Sequence, residues 1–321
     1  GEDTLSLHDA LPISFMILFY NFKKILNITS TMSIQLSPII AGVMNWGVWD
    51  KNLNTKEMKH LIHLFFENGI TSFDHADIYG SYTTEASFGK AWATAKIDRE
   101  KVQFISKCGI QYISENRPEN KIKHYNYSKE YIIWSVENSL KNLQTDYLDV
   151  LLLHRPSPLM QSDEIAEAVE QLKTSGKIRS FGVSNFTPSQ TELLRQKTEI
   201  SFNQIQFSAT NHEAMIDGSI DYMQLHHIQP MAWNPLGVVF RENTEQTQRL
   251  KLLFSKLVEK YHVGSDLILL AWILQHPAHI LPVAGTINVS RIQQLMKAKS
   301  LVLDTQDWFA IWTESMGKKV N

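Results

Sequence analysis

Cysteine is almost absent from this chain, because Cys108 is the single example in 321 residues. One thiol cannot form an internal disulfide, and it cannot provide the paired spacing of a cysteine-based metal site. Both kinds of cysteine-stabilised domain are therefore excluded. The scarcity of cysteine favours a reducing compartment, and we expect a cytoplasmic protein in which Cys108 is a small buried residue.

An excess of either charge is also lacking. The chain has 31 basic and 33 acidic residues, a formal net charge of -2 and a pI of about 6.7. This balance argues against a general nucleic-acid or membrane surface, so we expect neither partner. The sequence does not indicate an oligomeric state.

No apolar run is long enough to cross a bilayer. The candidate at residues 13–26 is too short and carries Lys23 and Lys24 after its apolar half. Its charge follows the apolar part, and no small-residue cleavage site comes after it, which disfavours a signal peptide.

The first part of the chain does not share the pattern of the rest. Residues 1–14 show no clear period and resemble translated adapter or vector sequence. We therefore treat residues 1–31 as a non-native or disordered leader and take Met32 as the native start. Residues 32–321 are predicted to form one domain.

The chain also lacks low-complexity tracts, a dividing linker and a G-x-G-x-x-G motif after its first apolar run. From residue 34 onward, short apolar runs alternate with helical patterns eight times. Such runs are typical of parallel strands that are buried on both faces. Eight units predict an α/β fold in the form of a single (β/α)8 TIM barrel, in preference to an open sheet.

Polar side chains follow three consecutive runs. Asp74 and then Tyr79 follow the second run, Lys107 ends the third, and His154 ends the fourth. These ends share one face of a barrel, where such folds carry their sites. The set suits proton donation to a carbonyl oxygen: Tyr79 donates, Lys107 lowers the phenol pKa, Asp74 holds Lys107, and His154 orients the oxygen or shares the proton.

Each of these residues also has a purely structural interpretation. Asp74 could cap a helix, Tyr79 could pack, Lys107 could extend along an edge, and His154 could be a satisfied core histidine. Four such coincidences at neighbouring strand ends are much less expected than one.

Four motifs together resemble the aldo/keto reductase superfamily, and among its members the bacterial YdhF-type oxidoreductases most closely. They are D-x-A-x-x-Y-G at 74–80, S-K-C-G at 106–109, L-L-L-H-R-P at 151–156 and G-V-S-N-F at 182–186. The resemblance runs from about residue 34 to the C-terminus. It implies reduction of a small aldehyde or ketone to an alcohol by hydride transfer from NADPH, with the four residues above as catalytic tetrad and Tyr79 as general acid.

The resemblance also implies contacts to the nicotinamide end of the cofactor. Ser184, Asn185 and Gln204 would hold the carboxamide, and Trp233 would lie against the nicotinamide ring. The flat indole provides a platform for a flat ring.

At the phosphate end, the resemblance implies that Asn234, Leu236 and Gly237 line the pyrophosphate path. Thr286 and Arg291 would meet the adenosine 2′-phosphate, which favours NADPH over NADH.

Two positions depart from the pattern of the family. Gly285 stands where relatives often have a lysine, and Gln294 stands where some have an acid near the adenine. The strength of the NADPH preference is therefore open.

Four further residues are candidates for the substrate pocket: Trp46, Trp49, Tyr112 and His124. They follow the first and third predicted strands, where a barrel site has its walls. Packing on the surface explains them equally well.

Two other functions stay open. A metal-dependent barrel hydrolase could use His75, Asp77 and His154, although no His-x-His pair follows the first strand and the resembling family is metal-free, so we expect no metal. The second open function is that of a nicotinamide-binding regulatory or partner protein with little turnover. The complete tetrad argues against this function.

Overall fold

Eight parallel strands close into a barrel in the computed structural model, which describes residues 34–320. Each strand pairs with the next one along the chain, and the last pairs with the first. The predicted (β/α)8 barrel is confirmed, whereas the predicted leader lies outside the described residues. The strands are β1 Ile40–Gly42, β2 Ser72–Asp74, β3 Gln103–Cys108, β4 Leu148–Leu153, β5 Ile178–Ser184, β6 Phe202–Gln206, β7 Gln229–Trp233 and β8 Leu281–Ala284.

Helices follow the strands and cover the outside of the barrel. The longer helices are Thr55–Glu67, Thr84–Ala95, Lys129–Leu143, Ser162–Thr174, Pro188–Arg195, Ser219–Leu225, Glu245–Tyr261, Ser265–Leu274, Val289–Leu295 and Thr305–Met316. Short turns of helix lie at Met44–Trp46, Tyr79–Tyr82, Arg99–Lys101, Glu213–Met215 and Lys297–Ser300. None of the helices in the described part combines the length and apolarity that spanning a bilayer requires.

The first long helix shows how local sequence fixes these elements. Asn54 caps it, because its Oδ1 accepts from the backbone N–H groups of Lys56 and Glu57, and the Glu57 carboxylate accepts from the Asn54 N–H. Gly69, with φ +75°, follows the end of the helix. Apolar residues on one face then seal the helix onto the barrel.

The loop after β3 contains a hairpin that the sequence did not predict. Ile110–Gln111 pairs in antiparallel fashion with His124–Tyr125. Strands of two residues are too short to show an alternating pattern, so the sequence does not reveal this hairpin.

A buried ion pair ties three neighbouring strands together near the start of β4. Asp149 accepts from the Arg99 guanidinium at 2.8 Å and from the backbone N–H of Phe104 at 2.8 Å. Arg179 lies 3.4 Å from its other oxygen. The arginines stack on the Tyr147 ring, with guanidinium carbons 4.0 and 3.7 Å from its centroid.

We expect Asp149→Asn to destabilise the fold by roughly 3 kcal/mol, because it leaves Arg99 without its buried counter-charge. Denaturant unfolding would measure the loss. Asp98→Asn is the control, since Asp98 pairs with Lys101 on the exposed surface and its loss should leave the midpoint unchanged. Equal effects of the two substitutions would contradict a structural role for the buried pair.

Candidate active site

A fully buried lysine lies at the centre of the site. The Lys107 ammonium donates to Asp74 Oδ2 at 2.7 Å, to the His75 carbonyl at 2.8 Å and to the Tyr79 hydroxyl at 3.0 Å. These acceptors satisfy its three N–H groups. The ion pair with Asp74 compensates the charge that burial would otherwise disfavour.

Strand pairing brings these side chains together. Beyond the end of β2, His75 N–H donates to the Ile105 carbonyl at 2.8 Å, and Asp77 N–H donates to the Lys107 carbonyl at 3.0 Å. The turn that carries Tyr79 is thereby fixed against the strand that carries Lys107.

Burial and charge act in opposite directions on the two proton-bearing groups. Burial raises the pKa of Tyr79 above its ordinary value, and the nearby Lys107 ammonium lowers it by less. The expected effect of Lys107, which lowers the phenol pKa, is confirmed, but the sequence analysis left out desolvation, which is larger and reverses the net direction. Burial alone would lower the pKa of Lys107, but Asp74 and Tyr79 together raise it above its ordinary value.

His154 completes the group at the end of β4. Its ring lies edge-on to the Tyr79 ring, with centroids 6.0 Å apart. Burial, followed by the charges of Lys107, Arg155 and Lys123, lowers the pKa of His154 well below its ordinary value. The imidazole is therefore neutral at neutral pH, so it can form a hydrogen bond with a substrate oxygen without competing with Tyr79 as a charged acid.

An aromatic wall stands beside Tyr79. The Trp49 ring lies edge-on to the Tyr79 ring at 6.1 Å and to the Tyr112 ring at 5.5 Å. Trp49 is 38% exposed, so this wall borders the opening of the site. His124, in contrast, is exposed on the hairpin, and its Nδ1 lies 2.9 Å from the Ile122 carbonyl.

Trp46 does not belong to this wall. It has no exposed surface and packs in the core, with its ring 6.0 Å from Phe65 and 5.9 Å from Phe88. The prediction that Trp46 lines the pocket is wrong, because the turn after β1 points this indole inward toward the helices.

Three consecutive residues after Tyr79 have left-handed backbone: Gly80 at φ 57°, Ser81 at 55° and Tyr82 at 71°. Such conformations are costly for residues other than glycine and require surrounding contacts. Here Ser81 Oγ accepts from the Trp49 indole N–H at 3.1 Å, and Tyr82 OH accepts from the Tyr112 N–H at 2.7 Å. The segment fastens the aromatic wall to the turn that carries Tyr79.

The residues predicted for nicotinamide lie on β5, β6 and β7 and form one network. Ser184 Oγ donates to the Gln204 carbonyl at 2.8 Å, Asn185 Nδ2 donates to Ser184 Oγ at 2.8 Å, and the Trp233 indole donates to Asn185 Oδ1 at 2.8 Å. Gln204 Nε2 also donates to Asp74 Oδ1 at 2.9 Å. This bond joins the predicted cofactor side directly to the tetrad.

The loop after β7 folds back tightly around the positions predicted for pyrophosphate. Asn234 and Gly237 have φ values of 53° and 57°, and a Cβ on Gly237 would lie 1.9 Å from Thr210 Oγ1. Leu236 is half-buried between them. Arg241 donates to Asn234 Oδ1 at 2.7 Å and to the Gly237 carbonyl at 2.8 Å, and sequence reasoning missed this cation.

The remaining predicted positions follow β8 on an open surface. Gly285 is exposed, and a Cβ there would meet no atom within 3.8 Å. Thr286 Oγ1 accepts from the Asn288 N–H at 3.2 Å. Gln294 is half-buried on the helix Val289–Leu295, one turn after Arg291. The Arg291 side chain is 63% exposed, with Asp266 Oδ2 at 3.8 Å.

The residues of the metal-hydrolase alternative are held apart by packing. The His75 ring is fully buried against Phe88 and Phe104, with centroids 4.4 and 5.8 Å away. Asp77 Oδ2 instead accepts from Ser135 Oγ at 3.1 Å. Within residues 34–320, no three His, Cys, Asp or Glu side chains are grouped so that they could share a metal ion.

Asp77 has an unusual charge state for a carboxyl group. Burial, and then the neighbouring Glu85, raise its pKa from 3.8 to about 8. Between these two pKa values, the folded protein keeps the proton of Asp77, whereas the unfolded chain, in which the carboxyl group has its ordinary pKa of 3.8, has released it. The resulting stabilisation is complete below the unfolded pKa and is lost as pH rises through about 8.

We expect the parent to lose stability relative to Asp77→Asn by up to about 1.4 kcal/mol per pH unit between pH 5 and 8. Asparagine keeps a neutral acceptor for Ser135 at every pH. Denaturant unfolding of both proteins at several pH values measures the difference. A difference that does not change with pH would mean that Asp77 is already ionised in the fold.

Comparison with known proteins places this geometry in context. The model of the Aldo/keto reductase family matches residues 38–314. The oxidoreductase YcsN of Bacillus subtilis is 43% identical, with 88% of this chain and 96% of YcsN covered. The oxidoreductase YdhF of Escherichia coli is 39% identical, with 86% and 93% covered.

Two further comparisons concern a named activity and a solved fold. The 6-dehydroglucose reductase of Agrobacterium fabrum is 35% identical, with 89% of this chain and 97% of that protein covered. A crystal structure of an aldo/keto reductase from Klebsiella pneumoniae, in complex with NADP and acetate, superposes with a TM-score of 0.72 at 24% identity, covering 86% of this chain and 90% of that one. This structural likeness supports the fold.

Proposed function

Because the chain belongs to the aldo/keto reductase family, we propose that it reduces an aldehyde or ketone to an alcohol with NADPH, and that Tyr79 supplies the proton. The observation that carries this proposal is the contact between the Tyr79 hydroxyl and the buried Lys107 ammonium, at 3.0 Å. A phenol in this contact holds its proton at neutral pH, and the ammonium stabilises the phenolate that remains after donation.

The other two members of the tetrad hold this donor and its substrate. Asp74 fixes Lys107 through the 2.7 Å ion pair, so the ammonium keeps its position when Tyr79 becomes negative. His154 is neutral and lies beside the phenol ring, where it can donate a hydrogen bond to the carbonyl oxygen. Both effects stabilise the charge that develops on that oxygen.

The residues on β5 to β8 fit a nicotinamide cofactor. Ser184, Asn185 and Gln204 offer amide and hydroxyl groups to a carboxamide, and Trp233 offers an aromatic face beside them. The open space at Gly285 leaves room for a bulky group. Bound NADPH would supply the hydride, and the protein would supply its placement and the proton.

We expect Tyr79→Phe to reduce kcat by about 10²–10⁴-fold, because it keeps the ring and removes the donated proton. NADPH affinity, measured by fluorescence, should be retained. Tyr147→Phe is the control, since it removes a phenol hydroxyl just before the start of β4, at the other end of that strand from His154, and should keep most of the parent kcat. Near-parent turnover of an aldehyde by Tyr79→Phe would show that another group, with His154 first in line, is the donor.

Lys107→Met extends the same test, because the effects of two substitutions on kcat are not additive when the two residues act as one unit. This variant should also lose most turnover. The pH profile of any remaining rate should shift upward, because the charge that lowers the phenol pKa is gone. The double variant with Tyr79→Phe should be little worse than the worse single variant.

Arg291 is proposed to select NADPH over NADH through the 2′-phosphate. We expect Arg291→Ala to weaken NADPH binding on the order of 10- to 100-fold, the size of a charge-assisted hydrogen bond, and to leave NADH binding almost unchanged. Asp266→Asn is the control, because it removes the carboxylate near Arg291 but not the cation. Equal losses for both cofactors in Arg291→Ala would mean that the residue acts structurally.

The relatives indicate where a substrate search should start. The Agrobacterium relative is named for reduction of 6-dehydroglucose, a hydroxylated aldehyde. An NADPH-consumption screen should therefore include hydroxylated and sugar-derived aldehydes beside simple aldehydes, ketones and quinones. The absence of turnover with every carbonyl compound would overturn the proposed function.

A further inference from the structure

A cation lies beside the tetrad, at the end of β4. Arg155 follows His154 directly, and its guanidinium carbon lies 5.5 Å from the centroid of the Trp233 ring. Arg155 is half-buried. Its side chain therefore extends from the strand end that carries His154 toward the proposed nicotinamide platform.

The backbone of Arg155 is held rigidly. The buried hydroxyl of Tyr127 donates to the Arg155 carbonyl and accepts from its N–H at 3.1 Å. The Tyr127 ring in turn occupies the space beside Gly109, where an added Cβ would lie 1.9 Å from ring carbon Cε1. Gly109, at φ 107°, thus makes room for the tyrosine that fixes Arg155.

The other arginines nearly all have defined partners. Arg99 and Arg179 share Asp149, and Arg195 pairs with Glu192. Arg241 and Arg249 donate to carbonyl oxygens, and Arg117 stacks on aromatic rings. Within residues 34–320, the Arg155 guanidinium makes no ion pair, and the hydrogen bonds of Arg155 are made by its backbone.

Two cations therefore come from neighbouring strand ends at this side of the opening. Lys107 pairs in register with Leu152 of β4, and Arg155 follows the end of that strand. Asp74 is already engaged by Lys107 and by Gln204. The opposite wall, formed by Trp49 and its neighbours, is aromatic. An anion brought by the substrate would relieve the repulsion, and a planar guanidinium binds a carboxylate through two parallel hydrogen bonds.

We propose that Arg155 binds an anionic group of the carbonyl substrate, of which a carboxylate is the simplest example. This inference rests on the proposed function and narrows its substrate class to aldehydes or ketones that carry a negative charge near the carbonyl. The charge difference between a carboxylate and its neutral ester is then the property that the site distinguishes.

The experiment compares two aldehydes that differ mainly in this charge, 4-oxobutanoate and its methyl ester, with glyceraldehyde as a neutral hydroxylated aldehyde. Steady-state kinetics with NADPH gives kcat and KM for each. We expect the parent enzyme to prefer 4-oxobutanoate over the ester by about 10-fold or more in kcat/KM, mostly through KM, and the preference to shrink at high salt.

Substitutions of Arg155 locate the effect. Arg155→Gln should lose about 10- to 100-fold in kcat/KM for 4-oxobutanoate and little for the ester, and Arg155→Lys should recover part of the loss because it keeps the charge. Lys121→Gln is the control, because it also removes one positive charge but its ammonium binds the Pro118 carbonyl.

The outcomes separate this inference from the proposed function. If Arg155→Gln lowers kcat/KM equally for the acid and the ester, the residue only supports the site and the anion-binding role is wrong. If glyceraldehyde depends on Arg155 as strongly as 4-oxobutanoate does, the site binds hydroxyl groups and charge selection is refuted. If the parent reduces none of the three aldehydes or the wider panel, the proposed function itself fails.

Discussion

The buried charge of Lys107 is the constraint on which the site depends. An ammonium with no exposed surface is tolerated only if its charge and all its N–H groups are compensated. Asp74, the His75 carbonyl and the Tyr79 hydroxyl provide this compensation, and they come from the last residue of β2 and the segment that follows it. The cost of burial therefore fixes the geometry of the proposed proton donor, since any displacement of Tyr79 leaves an N–H of Lys107 without a partner.

The same interaction connects the two halves of the barrel mouth. One oxygen of Asp74 binds Lys107, and the other accepts from Gln204 on β6, within the group of residues proposed for nicotinamide. A single carboxylate thus aligns the proton-donating side with the cofactor side. With His154 neutral and Lys107 charged, the positive charge lies beside Tyr79, where the proposed reaction would develop negative charge on a carbonyl oxygen.

The sequence was sufficient for the barrel and for the positions of the tetrad, for one physical reason. Parallel strands buried on both faces leave clear apolar runs, and a closed barrel places their ends on one face. Properties that depend on the surroundings of a residue in the folded chain could not be predicted from the sequence. They include the burial of Trp46, the net direction of the Tyr79 pKa, the left-handed turn through Ser81 and Tyr82, and the position of the Arg155 guanidinium beside the Trp233 ring. All of these follow from contacts between distant segments.

The charge state of Lys107 is the most direct test of the account. Nitrogen-15 NMR of lysine-labelled protein, with Lys107→Met to assign the signal, reports whether the side chain is ammonium or amine as pH is raised. The account predicts an ammonium that persists beyond the ordinary lysine pKa of 10.5 and titrates at lower pH in Asp74→Asn, where burial is no longer offset by the ion pair. A neutral Lys107 amine at neutral pH in the parent protein would contradict it.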